Sequence, residues 1–135
     1  MVALGEANAR EAGISNVEFL LGNIESVPLP DESVDIVISN CVINLAGDKT
    51  AVLREAYRVL KKGGKFSVAD IVLRDGLPEA VRRNVGLWTG CIAGALPTEE
   101  YLSGLKNVGF KSTEIEEIRT YTSTDVRIPE EQQLN

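Results

Sequence analysis

The sequence predicts an α/β domain that is built around a mainly parallel sheet. Strand-like segments at 34–38 and 65–73 are separated by a segment with helical periodicity at 50–62. The first of these strands, VDIVI, is a nearly continuous β-branched run, which is typical of a strand covered on both faces. Strand, helix, the Gly63-Gly64 turn and strand together form one βαβ unit with an expected right-handed crossover.

The N-terminal part predicts a helix followed by a short strand. Residues 2–12 contain good helix formers, with Glu6 and Arg10 one turn apart, and Gly13 is placed to end the helix. The segment 17–21, VEFLL, then has the composition of a strand and leads into a loop that contains two prolines.

The central helix is predicted from its cap and its apolar stripe. Asp48 is a candidate N-cap for TAVLREAYRVLKK, residues 50–62. Lys61 and Lys62 suit the negative end of the helix dipole, and Gly63-Gly64 is expected to stop the helix. The stripe consists of Val52, Leu53, Ala56, Val59 and Leu60.

Two helices and a strand are expected after residue 73. Pro78 suits the first turn of a helix whose apolar stripe would be Val81, Val85, Trp88 and Ile92. Thr98 is a candidate N-cap for a shorter helix that ends near Val108, before Gly109. Residues 110–122 have the pattern of a more polar strand near a sheet edge. The domain is therefore expected to span residues 1–125, followed by a polar tail at 126–135.

Composition limits the classes of function. The 135 residues and 44% hydrophobic content suit one globular domain. No apolar run approaches the roughly 18 residues that cross a membrane, and the first residues lack the pattern of a secretory leader. With a net charge of −6 and few paired cations, the chain is not expected to bind nucleic acid.

The counts of histidine and cysteine are also informative. The chain has no histidine, so it cannot supply a Ser-His-Asp triad, a Cys-His dyad or an imidazole general base. Its two cysteines are far apart and do not form a secreted disulfide framework, which favours a reducing cytoplasm.

Polar residues follow the predicted strands at the points where these strands end. They are Asn23, Ser39, Asn40, Cys41 and Asp70. In open parallel sheets, ligands bind beyond the carboxyl ends of the strands, so this cluster is a candidate site. The alternative is that these residues are merely the polar strand ends that any α/β domain carries.

Two long stretches resemble a known superfamily. NVEFLLGNIESVPLPDESVDIVISN (16–40) and LREAYRVLKKGG (53–64) are similar to the second half of class I S-adenosylmethionine-dependent methyltransferases, which have a Rossmann-like fold. Within that superfamily, SNCVINL (39–45) and LWTGCIAGAL (87–96) resemble arsenite methyltransferases. The resemblance implies methyl transfer from S-adenosylmethionine to thiol-bound arsenite.

The resemblance also implies a binding site for the S-adenosylmethionine cofactor. Asn23 and Ile24 would meet the adenine, and Ser39 and Asn40 would lie beside the methionine part. Asn23 stands where the family usually has aspartate. An amide oxygen can still accept a hydrogen bond, but it carries no charge.

Cys41 and Cys91 would, by the same resemblance, be the catalytic residues that hold arsenic(III). Arsenic(III) is a soft centre, and thiolates are the soft ligands that proteins offer. Two alternatives stay open for these cysteines. They could be buried and inert, as most structural cysteines are, or they could form a disulfide with each other.

The resemblance leaves part of the family pattern outside this chain. The glycine-rich loop and the ribose-binding acidic residue precede the matched region, as do the first two strands of the sheet. The strand at 34–38 is then expected to have a bare edge. The isolated chain would self-associate, rearrange so that 17–21 pairs with 34–38, or stay partly molten.

The sequence therefore predicts an arsenite methyltransferase that is truncated at both ends and incomplete for the reaction by itself. Arsenite and small thiols are the expected partners. One alternative is a related methyltransferase that acts on a small organic acceptor such as a quinone precursor. Another is an inactive fragment that is competent only for binding or assembly.

Overall fold

The computed structural model describes residues 1–74, 79, 83 and 92–121 of the chain. It has the expected α/β architecture with parallel strand pairs. The elements are α1 (Val2–Glu11), β1 (Val34–Asn40), a 3₁₀ turn (Ile43–Leu45), α2 (Lys49–Val59), β2 (Leu60–Ala69), β3 (Val72–Leu73), β4 (Leu96–Pro97) and α3 (Thr98–Val108). None of the described helices is long and apolar enough to cross a membrane.

The first helix ends as the sequence predicts. The N–H of Gly13 donates to the carbonyl of Arg10 at 3.2 Å, and the N–H of Ile14 donates to that of Ala9 at 2.9 Å. Gly13 has a φ of +71°, a left-handed conformation that glycine adopts without steric cost. These two hydrogen bonds form a Schellman motif, which satisfies the last carbonyls of α1.

The strand predicted at 17–21 is not formed, and that prediction is wrong. The segment has no regular structure, and only an isolated bridge between Asn23 and Ser26 follows it. A strand requires hydrogen bonds from a neighbouring strand, and no described strand lies beside this segment. Leu21 is consequently 86% exposed. The rearrangement in which 17–21 pairs with β1 does not occur either.

Strands β1 and β2 form the parallel pair on which the site is built. Ile36 pairs with Lys65, and Ser39 pairs with Val68. The two strands are joined through α2, so the predicted βαβ unit is present. Asp48 caps α2 as expected, because its carboxylate accepts the N–H of Ala51 at 3.0 Å.

The end of α2 differs from the sequence prediction. The helix stops at Val59, and Leu60 is already extended, with ψ at 134°. Leu60 is buried and pairs with Val34, so burial and strand pairing prevent the helix from continuing past Val59. The Gly63-Gly64 pair therefore lies inside β2 and does not stop the helix.

The two glycines instead form a bulge in β2. The register moves from Val34–Leu60 to Ile36–Lys65, which places extra residues on the β2 side. Gly63 has a φ of +80°, and a Cβ on Gly64 would lie 3.0 Å from the carbonyl oxygen of Asp35. Lys61 reaches Asp35 at 3.6 Å and has no role at a helix end.

The strand predicted at 65–73 is divided at Asp70. β2 ends at Ala69, and β3 pairs in parallel with β4, a strand that the sequence did not predict. The shorter helix has the predicted bounds, and Gly109 follows it with a φ of +123°. Pro97, rather than Thr98, is the N-cap, and the Thr98 hydroxyl donates to the carbonyl of Leu73 at 3.3 Å.

The core lies where α2 and α3 pack against each other and against the two parallel strand pairs. Its buried members are Ile43, Ala46, Val52, Leu53, Tyr101 and Leu105. Phe66 of β2 and Phe110, after α3, extend this core, with ring centroids 5.6 Å apart. Ile43 and Ala46, which follow β1, and Val68, near the end of β2, bring this core next to the carboxyl ends of the two strands.

The strand predicted at 110–122 is not formed over the part that the structure describes, residues 110–121. Ile115 and Ile118 are exposed, and no described strand lies beside them to pair with. Other predictions lie outside the described residues. They are the helix after Pro78 with Val81, Val85 and Trp88 of its stripe, the position of Cys91, and the polar tail at 126–135.

Candidate active site

The carboxyl ends of β1 and β2 bring several of the sequence-predicted residues together. Asn40 pairs with Ala69, so Cys41 and Asp70 follow the two strands side by side. The N–H of Cys41 donates to the carbonyl of Ala69 at 2.8 Å. The prediction that polar residues meet at this edge is correct for these positions.

Cys41 has an unusual backbone conformation. Its φ is +57°, in the left-handed region that residues with a Cβ rarely enter, and its side chain is half-buried. Such conformations cost free energy and are concentrated at functional sites. The sharp turn of the chain at Cys41 therefore sets it apart from an ordinary core cysteine.

The turn after Cys41 is anchored by a buried asparagine. Asn44 is fully buried in the 3₁₀ turn, and its Nδ2 donates to the carbonyl of Ile71 at 2.9 Å. This bond ties the Cys41 turn to the connection between β2 and β3. The sequence reasoning missed Asn44, since its only mark is a polar residue within the apolar run VINL.

Asp70 and Tyr101 form a second anchor at the same edge. The hydroxyl of Tyr101, which is buried on α3, donates to Oδ2 of Asp70 at 2.8 Å. Burial raises the pKa of Asp70, while the hydrogen bond from Tyr101, the backbone amide of Cys41 and the charge of Lys49 act to lower it. The pKa of Tyr101 is raised by burial and by the neighbouring Asp70 carboxylate.

Lys49 brings a cation to this cluster. Its Nζ donates to the carbonyl of Ala46 at 3.1 Å. Burial lowers the pKa of Lys49, and the carboxylates of Asp70 and Glu100 act in the opposite direction. The sequence named Asp70 as a strand-end residue but not Lys49 or Tyr101, because both come from helices that only the fold brings to this edge.

A cavity of about 410 Å³ runs along β1 next to Cys41. Ile24, Ser39 and Asn40, three of the four predicted cofactor residues, line it together with mainly apolar side chains. Its size and its apolar wall with a few polar groups are typical of small-molecule sites.

Asn23 lies apart from this cavity. It lines a neighbouring space of about 290 Å³, which it shares with Ile24. Its Oδ1 accepts the N–H of Glu25 at 2.9 Å, so the amide oxygen is already used within its own turn. A carbonyl oxygen has a second lone pair, and the Nδ2 hydrogens can also donate.

The loop that follows Asn23 and Ile24 is held against α2 by Arg58. The guanidinium donates to the carbonyls of Val27 and Leu29 at 2.9 and 2.8 Å. It also makes two 2.8 Å hydrogen bonds to the carboxylate of Glu55, which in turn accepts the N–H of Val27 at 2.8 Å. A planar fork of donors is needed to make this set of bonds.

We expect Arg58→Lys to loosen the loop at residues 27–33. An ammonium group cannot make the parallel bonds to Glu55 and reach two carbonyls as well. Hydrogen bonds to charged groups contribute about 1.5–3 kcal/mol each, so amide exchange at Val27 should accelerate about tenfold or more. Hydrogen–deuterium exchange measures this, with the exposed Arg54→Lys on the same helix as the control. Equal protection of Val27 in both variants would contradict the expected role of Arg58.

Comparison with known proteins identifies the family. A family model described as "Methyltransferase domain" matches residues 1–109. The chain therefore belongs to the methyltransferase-domain family, as its fold and strand-end site indicate.

Individual relatives are arsenite methyltransferases. The chain is 40% identical over 115 residues to that of Halobacterium salinarum, covering 85% of this chain and 29% of the relative. It is 46% identical over 99 residues to the human one, covering 71% and 26%. The crystal structure of an arsenic(III) S-adenosylmethionine methyltransferase from Chlamydomonas reinhardtii has a TM-score of 0.71 at 42% identity, covering 87% of this chain and 42% of that one. The chain thus spans about a quarter to a third of the curated relatives, and the predicted resemblance is confirmed.

The segment that follows Cys91 leads into the core. Ala93 and Ala95 are buried, and β4 and α3 come directly afterwards. Cys91 itself is outside the described residues, so its partnership with Cys41 stays a prediction.

Proposed function

We propose that this chain is part of an enzyme that transfers a methyl group from S-adenosylmethionine to arsenic(III). The thiolates of Cys41 and Cys91 would hold the arsenic. The observation that carries this proposal is the placement of Cys41, in a left-handed turn at the carboxyl edge of β1, directly after the cavity residues Ser39 and Asn40. The similarity of the chain to arsenite methyltransferases supports the same assignment.

The chemistry suits a protein without histidine. Soft thiolate ligands match a soft arsenic centre, and each As–S bond that forms releases a hydroxide of arsenite as water. S-adenosylmethionine, when bound, supplies a methyl group on a positively charged sulfur. The lone pair of arsenic(III) would form the new As–C bond, and S-adenosylhomocysteine would leave with the electron pair of the sulfonium C–S bond. The methylated arsenic would be at formal oxidation state +5, and this step would need no general base. The contribution of the protein is to align the two reactants, and thiol ligation requires a reducing compartment such as the cytoplasm.

The cofactor would occupy the cavity along β1. Ile24 supplies an apolar wall for a ring, while Ser39 and Asn40 provide polar groups at the end nearest Cys41. Asn23 would contribute from the adjoining space. This arrangement would place the methyl group toward the cysteine turn and exclude water on the apolar side.

Calorimetric titration tests the proposal. We expect the chain to bind arsenite, and the double variant Cys41→Ser/Cys91→Ser to lose that binding. Binding of S-adenosylmethionine without arsenite would favour a small organic acceptor. Binding of neither ligand would favour a fragment that acts only in assembly.

We also propose that the open edge of β1 takes up another strand. β1 pairs with β2 on one side, and no described strand lies on the other. Ile36 and Ile38, which lie on β1, are 59% and 78% exposed. Since an unpaired apolar strand is a template for pairing, the isolated chain is expected to self-associate. Size-exclusion chromatography with light scattering measures this; a monomer at all concentrations would contradict it, and Ile38→Lys should reduce any association.

A further inference from the structure

We propose that Asp70 and Tyr101 are positioning residues, which hold the Cys41 turn at a fixed place relative to α3. The inference rests on the proposed function, because it concerns how the two thiol-bearing segments are kept at the separation that one arsenic atom requires. Neither residue is assigned contact with the arsenic or the cofactor.

The backbone of Cys41 is attached to the end of β2. The strained residue is held from the β2 side, because its N–H donates to the carbonyl of Ala69 at 2.8 Å. Asp70 is the next residue after Ala69, and the Cys41 amide lies close enough to the Asp70 carboxyl to affect its ionisation. The position of the Cys41 turn therefore depends on where the end of β2 is fixed.

Asp70 is in turn attached to α3 by its side chain. The Tyr101 hydroxyl donates to Oδ2 of Asp70 at 2.8 Å, across the boundary between the sheet and the helix. Tyr101 is buried in the same core cluster as Ile43 and Leu53, so its ring has little freedom to move. Oδ1 of Asp70 is also buried and accepts no hydrogen bond from the described residues. The Tyr101 hydroxyl is therefore the main directional contact of this carboxyl.

The order of the chain relates α3 to the position of Cys91 in the sequence. Residues 92–97 follow Cys91 and continue into α3, which carries Tyr101. Within this stretch β4 pairs with β3, the strand that begins two residues after Asp70. The Asp70–Tyr101 bond thus joins the end of β2, which holds the Cys41 amide through Ala69, to the helix that follows the Cys91 segment. No other side chain-to-side chain hydrogen bond in the described residues links β2 or its end to α3.

Tyr101→Phe tests the inference, since it removes only the hydroxyl. The probe is phenylarsine oxide, whose tight binding needs two sulfur atoms at a suitable separation. We expect its affinity to fall about tenfold, as for the loss of one hydrogen bond to a charged group. Alkylation of the thiols by N-ethylmaleimide, which needs only one sulfur at a time, should change less than about twofold.

Two further variants separate positioning from folding. Asp70→Asn keeps an acceptor for the Tyr101 hydroxyl and should bind phenylarsine oxide within about twofold of the wild type, whereas Asp70→Ala should show the tenfold loss. Tyr57→Phe, at a half-exposed tyrosine on α2, is the matched control and should show no loss.

The outcomes are distinct. Wild-type affinity in Tyr101→Phe, or an equal loss in Tyr57→Phe, would overturn the positioning role while leaving the proposed function in place. If Tyr101→Phe fails to fold, the comparison of Asp70→Asn with Asp70→Ala decides, and equal affinities would overturn the inference. A wild-type chain that does not bind phenylarsine oxide would overturn the proposed function and the inference with it.

Discussion

Replacing Cys41 with serine is expected to weaken arsenite binding by about two orders of magnitude or more, equivalent to ~3 kcal/mol. An arsenic–sulfur bond to a soft thiolate would be exchanged for a hard hydroxyl oxygen, which matches arsenic(III) poorly. A single remaining thiol would also lose the advantage of closing a ring around one arsenic atom, where the second bond forms at high effective concentration. Calorimetry with arsenite measures the change directly.

The serine variant has a clear internal control. Serine is nearly isosteric with cysteine, and any L-residue meets the same restriction at a φ of +57°, so the melting temperature should be almost unchanged. Binding of S-adenosylmethionine, which the cavity residues Ser39 and Asn40 are proposed to contact, should persist. Undiminished arsenite binding in Cys41→Ser would exclude Cys41 as a ligand and with it the proposed acceptor.

Leu53→Ala is expected to lower the free energy of unfolding by about 2–5 kcal/mol. Leu53 is only 3% exposed, and it packs between α2 and α3 in the cluster that includes Tyr101. A Cβ on Gly104 would lie 3.1 Å from its Cδ1, which shows how closely the two helices approach there. Truncation would remove buried methyl groups and leave a cavity at this contact, since neither helix can close over it without moving.

Urea denaturation followed by circular dichroism measures this loss. Leu4→Ala on α1 is the matched control, because Leu4 is 64% exposed and should cost less than about 0.5 kcal/mol. Total stabilities of small domains are about 5–15 kcal/mol, so the Leu53 variant should approach the limit of folding. A midpoint as high as that of the Leu4 variant would show that α2 and α3 do not share this core.

Sequence reasoning was most accurate where structure depends on neighbours in the chain. The Schellman ending at Gly13, the Asp48 cap and the bounds of α3 were all readable, because helix hydrogen bonds and caps join residues only a few positions apart. The β-branched run at 34–38 marked β1 for a similar reason, since these residues favour extended backbone. The prediction that this strand is covered on both faces is wrong, because Ile36 and Ile38 are 59% and 78% exposed on the face that no described element covers. The motif around Cys41 was also recognisable from the sequence alone.

Strands depended on what lies beside them. The segments 17–21 and 110–121 have strand composition but no described neighbour, so neither forms a ladder. The β3–β4 pair could not be predicted from the sequence. Each strand has only two residues, Val-Leu and Leu-Pro, which is too short for a recognisable strand pattern, and the two become neighbours only in the fold. At Leu60, pairing with Val34 overrode a helical pattern that continued through Lys62.

The sequence by itself determined the presence of the three described helices, the first parallel strand pair, the family and the candidate cysteine. Tertiary structure alone decided that Asp70 would accept a hydrogen bond from a tyrosine of α3, that the charge of Lys49 on α2 would act on it, and that Cys41 would adopt a left-handed conformation. The physical reason is how far apart in the chain the interacting residues lie. Helices and caps are made by local hydrogen bonds, whereas strand pairing and buried polar contacts join residues far apart in the chain, whose approach depends on the whole core.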